Sequence, residues 1–202
     1  MKKNELDFHE ATHRYFLNGK EVLSVTKVFE ITAITDFSKV KFEILEAAKI
    51  VGDLVHQLAH LYGQGTLDEE SVDPALYGYY EAIRSYYDEQ VKKILYLEQK
   101  IFDAYLGYAG TLDIIYINRS GKICLDDYKT PTVLHPATAL QTAAYKSAAA
   151  KNLRVKIQER GGVRLDKSGK YERKVYRDPS DFPNFRAALQ VANWLKKNKL
   201  RA

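Results

Sequence analysis

Two acidic residues and a lysine are spaced in a way that permits shared chemistry. Asp113 precedes a short polar turn, and Asp127 and Lys129 follow it. If the flanking segments form a hairpin centred on Ser120, paired residues have numbers that sum to 240, and Asp113 faces Asp127. Directly opposed residues have Cβ atoms about 4.5–5.5 Å apart. Lys129, two residues beyond Asp127, then points to the same face of the sheet.

Two carboxylates held this close favour metal-assisted chemistry. They repel each other, so at least one has a raised pKa unless a cation lies between them. A divalent ion removes the conflict, and a nearby lysine can hold a phosphate oxygen and offset charge that develops during phosphodiester hydrolysis. The alternative is a plain sheet edge at which Lys129 pairs with Asp127 while Asp126 faces solvent. A one-residue slip in register would also separate the two carboxylates.

Three further polar residues are candidates for the same site. Gln141 and Tyr145 lie four residues apart on one face of an Ala-rich segment, which favours a polar neighbour opposite them. The alternative is a packed tyrosine ring beside a surface glutamine. His56 lies on an earlier helical segment. An isolated helical histidine is usually structural, but a neutral imidazole can complete a metal shell built from carboxylates.

The elements that must position these residues follow from periodicity and turn signals. The Asn18-Gly19 pair is a strong hairpin signal. The sequence predicts a hairpin at 14–25, helices at about 42–62 and 75–94, strands at 96–104, 111–117 and 122–128, a helix at 136–151, a hairpin at 154–176 and a helix at about 183–199. This order predicts an α/β fold with a central mixed sheet flanked by helices, rather than a regular strand–helix alternation.

Composition limits the class of protein. With 202 residues, 46% of them hydrophobic and 28% charged, the chain predicts a single globular domain over 1–202. The net charge of +5 helps to hold a polyanion but is not specific. Cys124 is the only cysteine, so a disulfide within the chain, a cysteine zinc site and an iron–sulfur cluster are excluded, and a buried, unreactive thiol is expected.

Targeting signals are not evident. Residues 1–5 are polar and lack the apolar core of a signal peptide. No apolar run approaches the ~18 residues that a membrane span needs. A soluble cytoplasmic protein without a membrane partner is therefore expected.

Four short motifs in chain order carry a family resemblance. Together they resemble the PD-(D/E)XK nuclease superfamily, in the RecB-like exonuclease branch that includes phage recombination exonucleases and the mitochondrial genome maintenance exonuclease. The motifs are Gly52-x-x-Val55-His56, Gly110-Thr111-x-Asp113, Asp127-Tyr128-Lys129-Thr130 and Gln141-x-x-x-Tyr145. A Ser24-Val25-Thr26 element extends the match from about residue 24 to 145.

The resemblance implies a restriction-endonuclease-like fold and a role for each matched residue. The implied metal ligands are His56, Asp113, Asp127 and the backbone carbonyl of Tyr128, and the ion is Mg²⁺ or Mn²⁺. Lys129 is the implied catalytic lysine, acting with Asp113 and Asp127. Gln141 and Tyr145 would contact the nucleic acid or shape the site, with Glu98 and Thr130 in supporting positions. His60 is a departure, because relatives often carry a glutamate there.

The implied activity is hydrolysis of single- or double-stranded DNA from free ends, in recombination, repair or phage DNA processing. Alternatives are a non-cleaving nucleic-acid-binding or assembly module on the same fold and a site-specific endonuclease. A homo-oligomer or a single-strand-annealing recombination partner would suit such an enzyme. Two features stay open. The tyrosines of the second helix either stack on bases or cover a core edge, and the basic segment 196–201 either contacts phosphates or favours a helix C-terminus.

Overall fold

The computed structural model describes residues 5–201, so residues 1–4, on which the prediction of no signal peptide partly rests, lie outside it. Within that range the chain forms eight strands and five α-helices. The strands are β1 Leu6–His9, β2 Arg14–Leu17, β3 Lys20–Ser24, β4 Val91–Asp103, β5 Tyr108–Asn118, β6 Ile123–Lys129, β7 Glu159–Leu165 and β8 Tyr171–Val175. The helices are α1 Val25–Ile31, α2 Phe42–Gln64, α3 Tyr77–Gln90, α4 Ala137–Asn152 and α5 Asp181–Lys197.

All eight strands join one mixed sheet. Its order is β1-β2-β3-β5-β6-β7-β8, and β4 pairs with β5 along nearly its whole length. The β3–β5 and β6–β7 pairs are parallel and the others are antiparallel. Asn18 and Gly19, both at positive φ, make the tight turn between β2 and β3.

The sheet forks along one edge of β5. β4 pairs along one edge of β5, so β3 and β6 share the opposite edge of β5. β3 pairs with Tyr108 and Ala109, whereas β6 pairs only from Ile114 to Ile117. Residues 110–113 therefore lie between two diverging strands. A ladder that stops leaves room for side chains and for a ligand beside the unpaired strand edge.

Helices cover both faces of the sheet. On one face α1, α4 and α5 bury a core that includes Phe29, Ala144 and Phe185. On the other, α2 and α3 bury a second core that includes Val55 and Ile83. Each large apolar side chain buried in this way stabilises the fold by roughly 1.5–3 kcal/mol. The predicted class, an α/β fold with a central mixed sheet flanked by helices, is confirmed.

Several predicted boundaries are wrong for identifiable reasons. Val25, predicted to end a strand, begins α1, because the Ser24 side chain caps the helix by accepting from the Lys27 N–H at 3.0 Å. The helix predicted at about 75–94 is α3, which ends at Gln90, and β4 begins at the next residue. Residues 154–158 precede β7 instead of belonging to it, and β1 was not predicted.

Other expectations are resolved by burial. Tyr80, Tyr86 and Tyr87 are buried in the second core, which confirms that these tyrosines of α3 cover the core instead of presenting rings to a ligand. The thiol of Cys124 is free and buried, as predicted. Within residues 5–201, no helix combines the length and apolar character that crossing a membrane requires.

Candidate active site

The predicted hairpin register is confirmed. β5 and β6 pair from Ile117↔Ile123 to Ile114↔Asp126, so paired numbers sum to 240. One step further, at Asp113 and Asp127, the backbone ladder stops. The Tyr128 N–H instead donates a hydrogen bond of 2.5 Å to Asp113 Oδ2. A side-chain carboxylate thus takes the place of a backbone acceptor where the fork opens.

Glu98 approaches Asp113 from the other side. β4 pairs Leu97 with Ile114 and Gln99 with Leu112, which places Glu98 opposite Asp113. Its backbone has φ of +45°, in the left-handed region, although it lies within a strand. For a residue other than glycine this costs on the order of 1–3 kcal/mol, and such strain is concentrated at functional sites. Glu98 lines the same cleft as Asp113.

His56 on α2 completes a compact group of ligand atoms. Its Nδ1 lies 3.3 Å from Asp113 Oδ1. One ligand atom each from His56, Glu98 and Asp113 lie within 4.8 Å of one another. Asp127 lines the cleft beside this group, and its Oδ2 is buried without a hydrogen bond of ordinary geometry, although it contacts the Lys129 ammonium. One imidazole with several carboxylates fits a divalent cation.

The titration of these groups reflects their crowding. Burial and the Asp113 carboxylate raise the pKa of Glu98 to about 7. Burial raises the pKa of Asp127 to about 6, since the Lys129 ammonium offsets it only in part. Burial alone would lower the pKa of His56, but Asp113 outweighs it and raises that pKa to about 9. Burial opposes ionisation of Asp113 as well, yet His56 keeps its pKa below the ordinary value. Without a metal, therefore, protons neutralise part of the site.

Lys129 lies at the cleft end of β6. Its side chain is 27% exposed and contacts Asp127. Burial would lower the pKa of Lys129, but the Asp127 and Asp113 carboxylates outweigh burial and raise it. The lysine therefore stays charged and is held in place by a carboxylate at the floor of the cleft.

One wall of the cleft is provided by α4. The Gln141 Nε2 donates to the Tyr145 hydroxyl at 3.1 Å, and both side chains are buried and line the cleft. The Tyr145 ring packs against the backbone at Gly110, where a Cβ would lie only 2.6 Å from Cε1. Thr130, predicted as supporting, is not among the lining residues, and its Oγ1 faces Gly52 of α2.

Several lining residues had no role assigned from the sequence. Tyr15 donates to or accepts from Thr111 Oγ1 at 2.8 Å, and His13 lies on the rim. The hydroxyls of Ser24 and Thr26, 3.1 Å apart, also face the cleft. His60 lines it one helical turn after His56, and its buried Nδ1 has no hydrogen-bond partner among residues 5–201. The four-residue spacing of the two histidines was a usable signal, whereas nothing local pointed to His13.

The plain sheet-edge alternative is wrong in one respect, since Asp126 does not face solvent. Its carboxylate is fully buried and accepts from the Tyr86 and Tyr116 hydroxyls at 2.9 and 2.7 Å. The Arg173 guanidinium on β8 donates to it twice, at 2.6 and 3.0 Å. Asp126 thereby ties β6 to α3 and β8 on the face of the sheet that α2 and α3 cover, next to Asp127.

No protein family and no curated protein matches the chain. Among solved structures, it resembles a protein from Eubacterium rectale that is provisionally named an exonuclease, with a TM-score of 0.48 and 14% sequence identity. The match covers 75% of this chain and 66% of that protein, slightly less than two thirds of its length.

Proposed function

We propose that this protein is a metal-dependent deoxyribonuclease of the PD-(D/E)XK type that degrades DNA from free ends. One observation carries the proposal. At the fork of the sheet, Asp113, Asp127 and Lys129 line one cleft with His56 and Glu98. The motifs that resemble RecB-like exonucleases supply four of these five residues, and Glu98 is their supporting acidic position.

The residues that would hold the ion are His56, Glu98 and Asp113, with Asp127 beside them. The backbone carbonyl of Tyr128 is a further proposed ligand. Mg²⁺ or Mn²⁺ suits this donor set, since most of it consists of carboxylate and carbonyl oxygens. When bound, such an ion polarises a phosphoryl oxygen and lowers the pKa of a water molecule.

The chain's own groups would hold and orient the phosphodiester. Lys129 presents an ammonium where negative charge develops on the phosphate, a contribution that grows in the transition state. Its contact with Asp127 fixes that ammonium before the substrate arrives. Gln141 and Tyr145 form a polar wall that would position the scissile nucleotide.

The depth of the site favours attack at a strand end. Asp113 is 6% exposed and Asp127 only 1%, within a cleft of about 470 Å³. That volume is in the range of small-molecule pockets, roughly 300–1,000 Å³. A terminal nucleotide fits such a space more readily than the middle of a duplex.

The test compares a closed circular plasmid with the same plasmid after linearisation, in Mg²⁺, Mn²⁺ or EDTA. We expect the linear form to yield mononucleotides or short oligonucleotides with either metal, while the circle persists and EDTA abolishes hydrolysis. Discrete fragments from the circle would instead indicate a site-specific endonuclease. Binding of linear DNA without any hydrolysis in either metal would indicate the non-cleaving module.

A further inference from the structure

A second cavity adjoins the cleft. It has a volume of about 830 Å³ and lies between the β2–β3 hairpin, α1 and the C-terminal end of α5. Four residues line both spaces: His13, Tyr15, Ser24 and Thr26. Because these four residues line both spaces, the two spaces adjoin each other, and we call the second one the hairpin groove.

The hairpin groove carries excess positive charge. Its lining includes two carboxylates, Glu21 and Glu30, against five cations. The cations are Arg14, Lys27, Lys196, Lys199 and Arg201. The Glu21 carboxylate lies 3.9 Å from the Arg14 guanidinium and 3.3 Å from the Lys196 ammonium, so one acid serves two bases.

Within the described range, two of these cations form no direct ion pair, although hydrogen bonds and the nearby Arg201 guanidinium together lower the pKa of the Asp36 carboxylate. Among residues 5–201, neither Lys199 nor Arg201 forms an ion pair, and the Arg201 guanidinium donates only to the Ile31 carbonyl, at 3.0 Å. Lys199 is exposed. The basic segment 196–201 therefore contributes positive charge to the groove, in addition to any favourable interaction with the C-terminus of α5.

His13 marks the junction between the cleft and the hairpin groove. It is exposed, and its ring is held edge-on by Phe8, with ring centres 5.1 Å apart, and by Tyr15, at 6.0 Å. A flat ring held at the entrance of a charged groove can stack on a base, and base–aromatic stacking tolerates any sequence.

We infer that the hairpin groove binds the backbone of a single DNA strand whose end occupies the cleft. This inference rests on the proposed function. The cleft is acidic, so by itself it repels a polyanion, and a neighbouring cationic surface is needed to hold one. A single strand is favoured over a duplex because the groove leads to deeply buried carboxylates through a cleft of about 470 Å³.

Binding is measured by fluorescence anisotropy of a labelled oligothymidylate in EDTA, so that hydrolysis plays no part. The variants are Lys199→Ala and the double variant Arg14→Ala/Lys199→Ala. The matched control for the first is Lys197→Ala, which removes the same charge from the last turn of α5 outside the groove. The control for the second is Lys92→Ala/Lys197→Ala, since Lys92 is exposed on β4.

We expect the groove variants to weaken binding on the order of fivefold for each cation removed, and the controls less than twofold. The dependence of log K on log salt should become shallower by about 0.7 for each phosphate of a single strand that the variant no longer neutralises. Equal weakening in the groove and control variants would overturn the inference, as would weakening confined to a blunt duplex.

A small substrate separates this inference from the proposed function. Hydrolysis of thymidine 5′-monophosphate p-nitrophenyl ester in Mn²⁺ reports on the cleft, because neither Arg14 nor Lys199 lines it. We expect Arg14→Ala/Lys199→Ala to hydrolyse it at the wild-type rate while binding the oligonucleotide poorly. Loss of both ester hydrolysis and oligonucleotide binding would show that these cations support the cleft, and it would overturn the inference that the groove binds DNA. Absence of metal-dependent hydrolysis in the wild type would count against the nuclease alone.

Discussion

Asp113 is the residue around which the cleft is organised. Its carboxylate accepts from the Tyr128 N–H, contacts His56 and faces Glu98. Such crowding does not favour folding, because burying several ionisable groups costs free energy unless their charges are balanced. Under the proposed function, a cation that binds after folding would balance these charges and replace the protons that the site otherwise retains.

The pH dependence of the metal-free protein follows from these shifts. The pKa values of Glu98 (about 7, ordinarily 4.5) and Asp127 (about 6, ordinarily 3.8) are raised in the fold, as is that of His56 (about 9, ordinarily 6.5). The folded state therefore binds more protons than the unfolded chain, and stability falls as pH rises. For the two carboxyl groups the loss spans about pH 4–7, and for His56 about pH 6.5–9. Asp113 acts oppositely, since its lowered pKa contributes stability that is lost only in acid.

Urea unfolding in EDTA at pH 5, 6, 7 and 9 measures this dependence. We expect Glu98→Gln to flatten the decline between pH 5 and 7, because the variant has no proton to lose. Glu70→Gln, at an exposed position, should follow the wild type. A metal-free protein that gains stability steadily from pH 5 to 9, with the same slope in Glu98→Gln, would show that these groups do not titrate as described.

Metal binding gives a second prediction at the residue scale. Mn²⁺ should raise the melting temperature of the wild type, since a ligand at 100 times its Kd stabilises the folded state by about 2.7 kcal/mol. Asp113→Asn, Asp127→Asn and Glu98→Gln should each respond far less, because each removes a charged oxygen donor. Asp53→Asn, an exposed carboxylate of the same cleft, should respond like the wild type. Equal stabilisation of all five proteins would place the metal elsewhere.

The sequence predicted only part of this cluster. Asp113, Asp127 and Lys129 could be placed together because one hairpin contains them and its register follows from alternation and a single turn. His56 and Glu98 reach Asp113 from a distant helix and a separate strand, so their contacts depend on tertiary packing. The motif resemblance flagged both residues, but the left-handed backbone of Glu98 has no signature in local sequence.

The fork in the sheet is the decisive feature at the scale of elements. At residues 110–113, which neither β3 nor β6 pairs, the Tyr145 ring of α4 packs against the backbone of Gly110. The local sequence pattern did not reveal the fork. Ile83, Tyr87 and Ile94 recur at helical spacing across the true end of α3, so the long β4 strand that supports the fork was predicted too short. Pairing with β5, a long-range interaction, overrides that local preference.

Substitution of Gly110 tests how closely α4 approaches β5. Gly110→Ala places a Cβ 2.6 Å from the Tyr145 ring, and overpacking of this kind costs typically 1–3 kcal/mol. Urea unfolding should show that loss. The control is Gly52→Ala within α2, where the nearest atom is 3.8 Å away, and the helix should gain up to about 1 kcal/mol. Tyr145→Leu combined with Gly110→Ala should recover part of the loss. If Gly110→Ala unfolds like the wild type, the ring does not rest on the strand.

At the scale of the whole molecule, the arrangement of charge matters more than its sum. A net charge of +5 predicted little by itself. The fold separates an acidic cleft, suited to a cation, from an adjoining basic groove suited to phosphates. The sequence could not show this separation, because β2 and α1 lie near the start of the chain, whereas α5 ends at Lys197. The predicted oligomer or recombination partner stays a prediction.

The most direct test of the central proposal is the rate at which Lys129→Ala hydrolyses labelled single-stranded DNA in a single turnover with Mn²⁺. Loss of one group that stabilises transition-state charge lowers turnover about 10²–10³-fold. We predict a fall of at least that size, with DNA affinity changed by no more than several-fold and a wild-type rate for Lys92→Ala. A Lys129→Ala variant that hydrolyses DNA at the wild-type rate would contradict the assignment of this cleft as the active site.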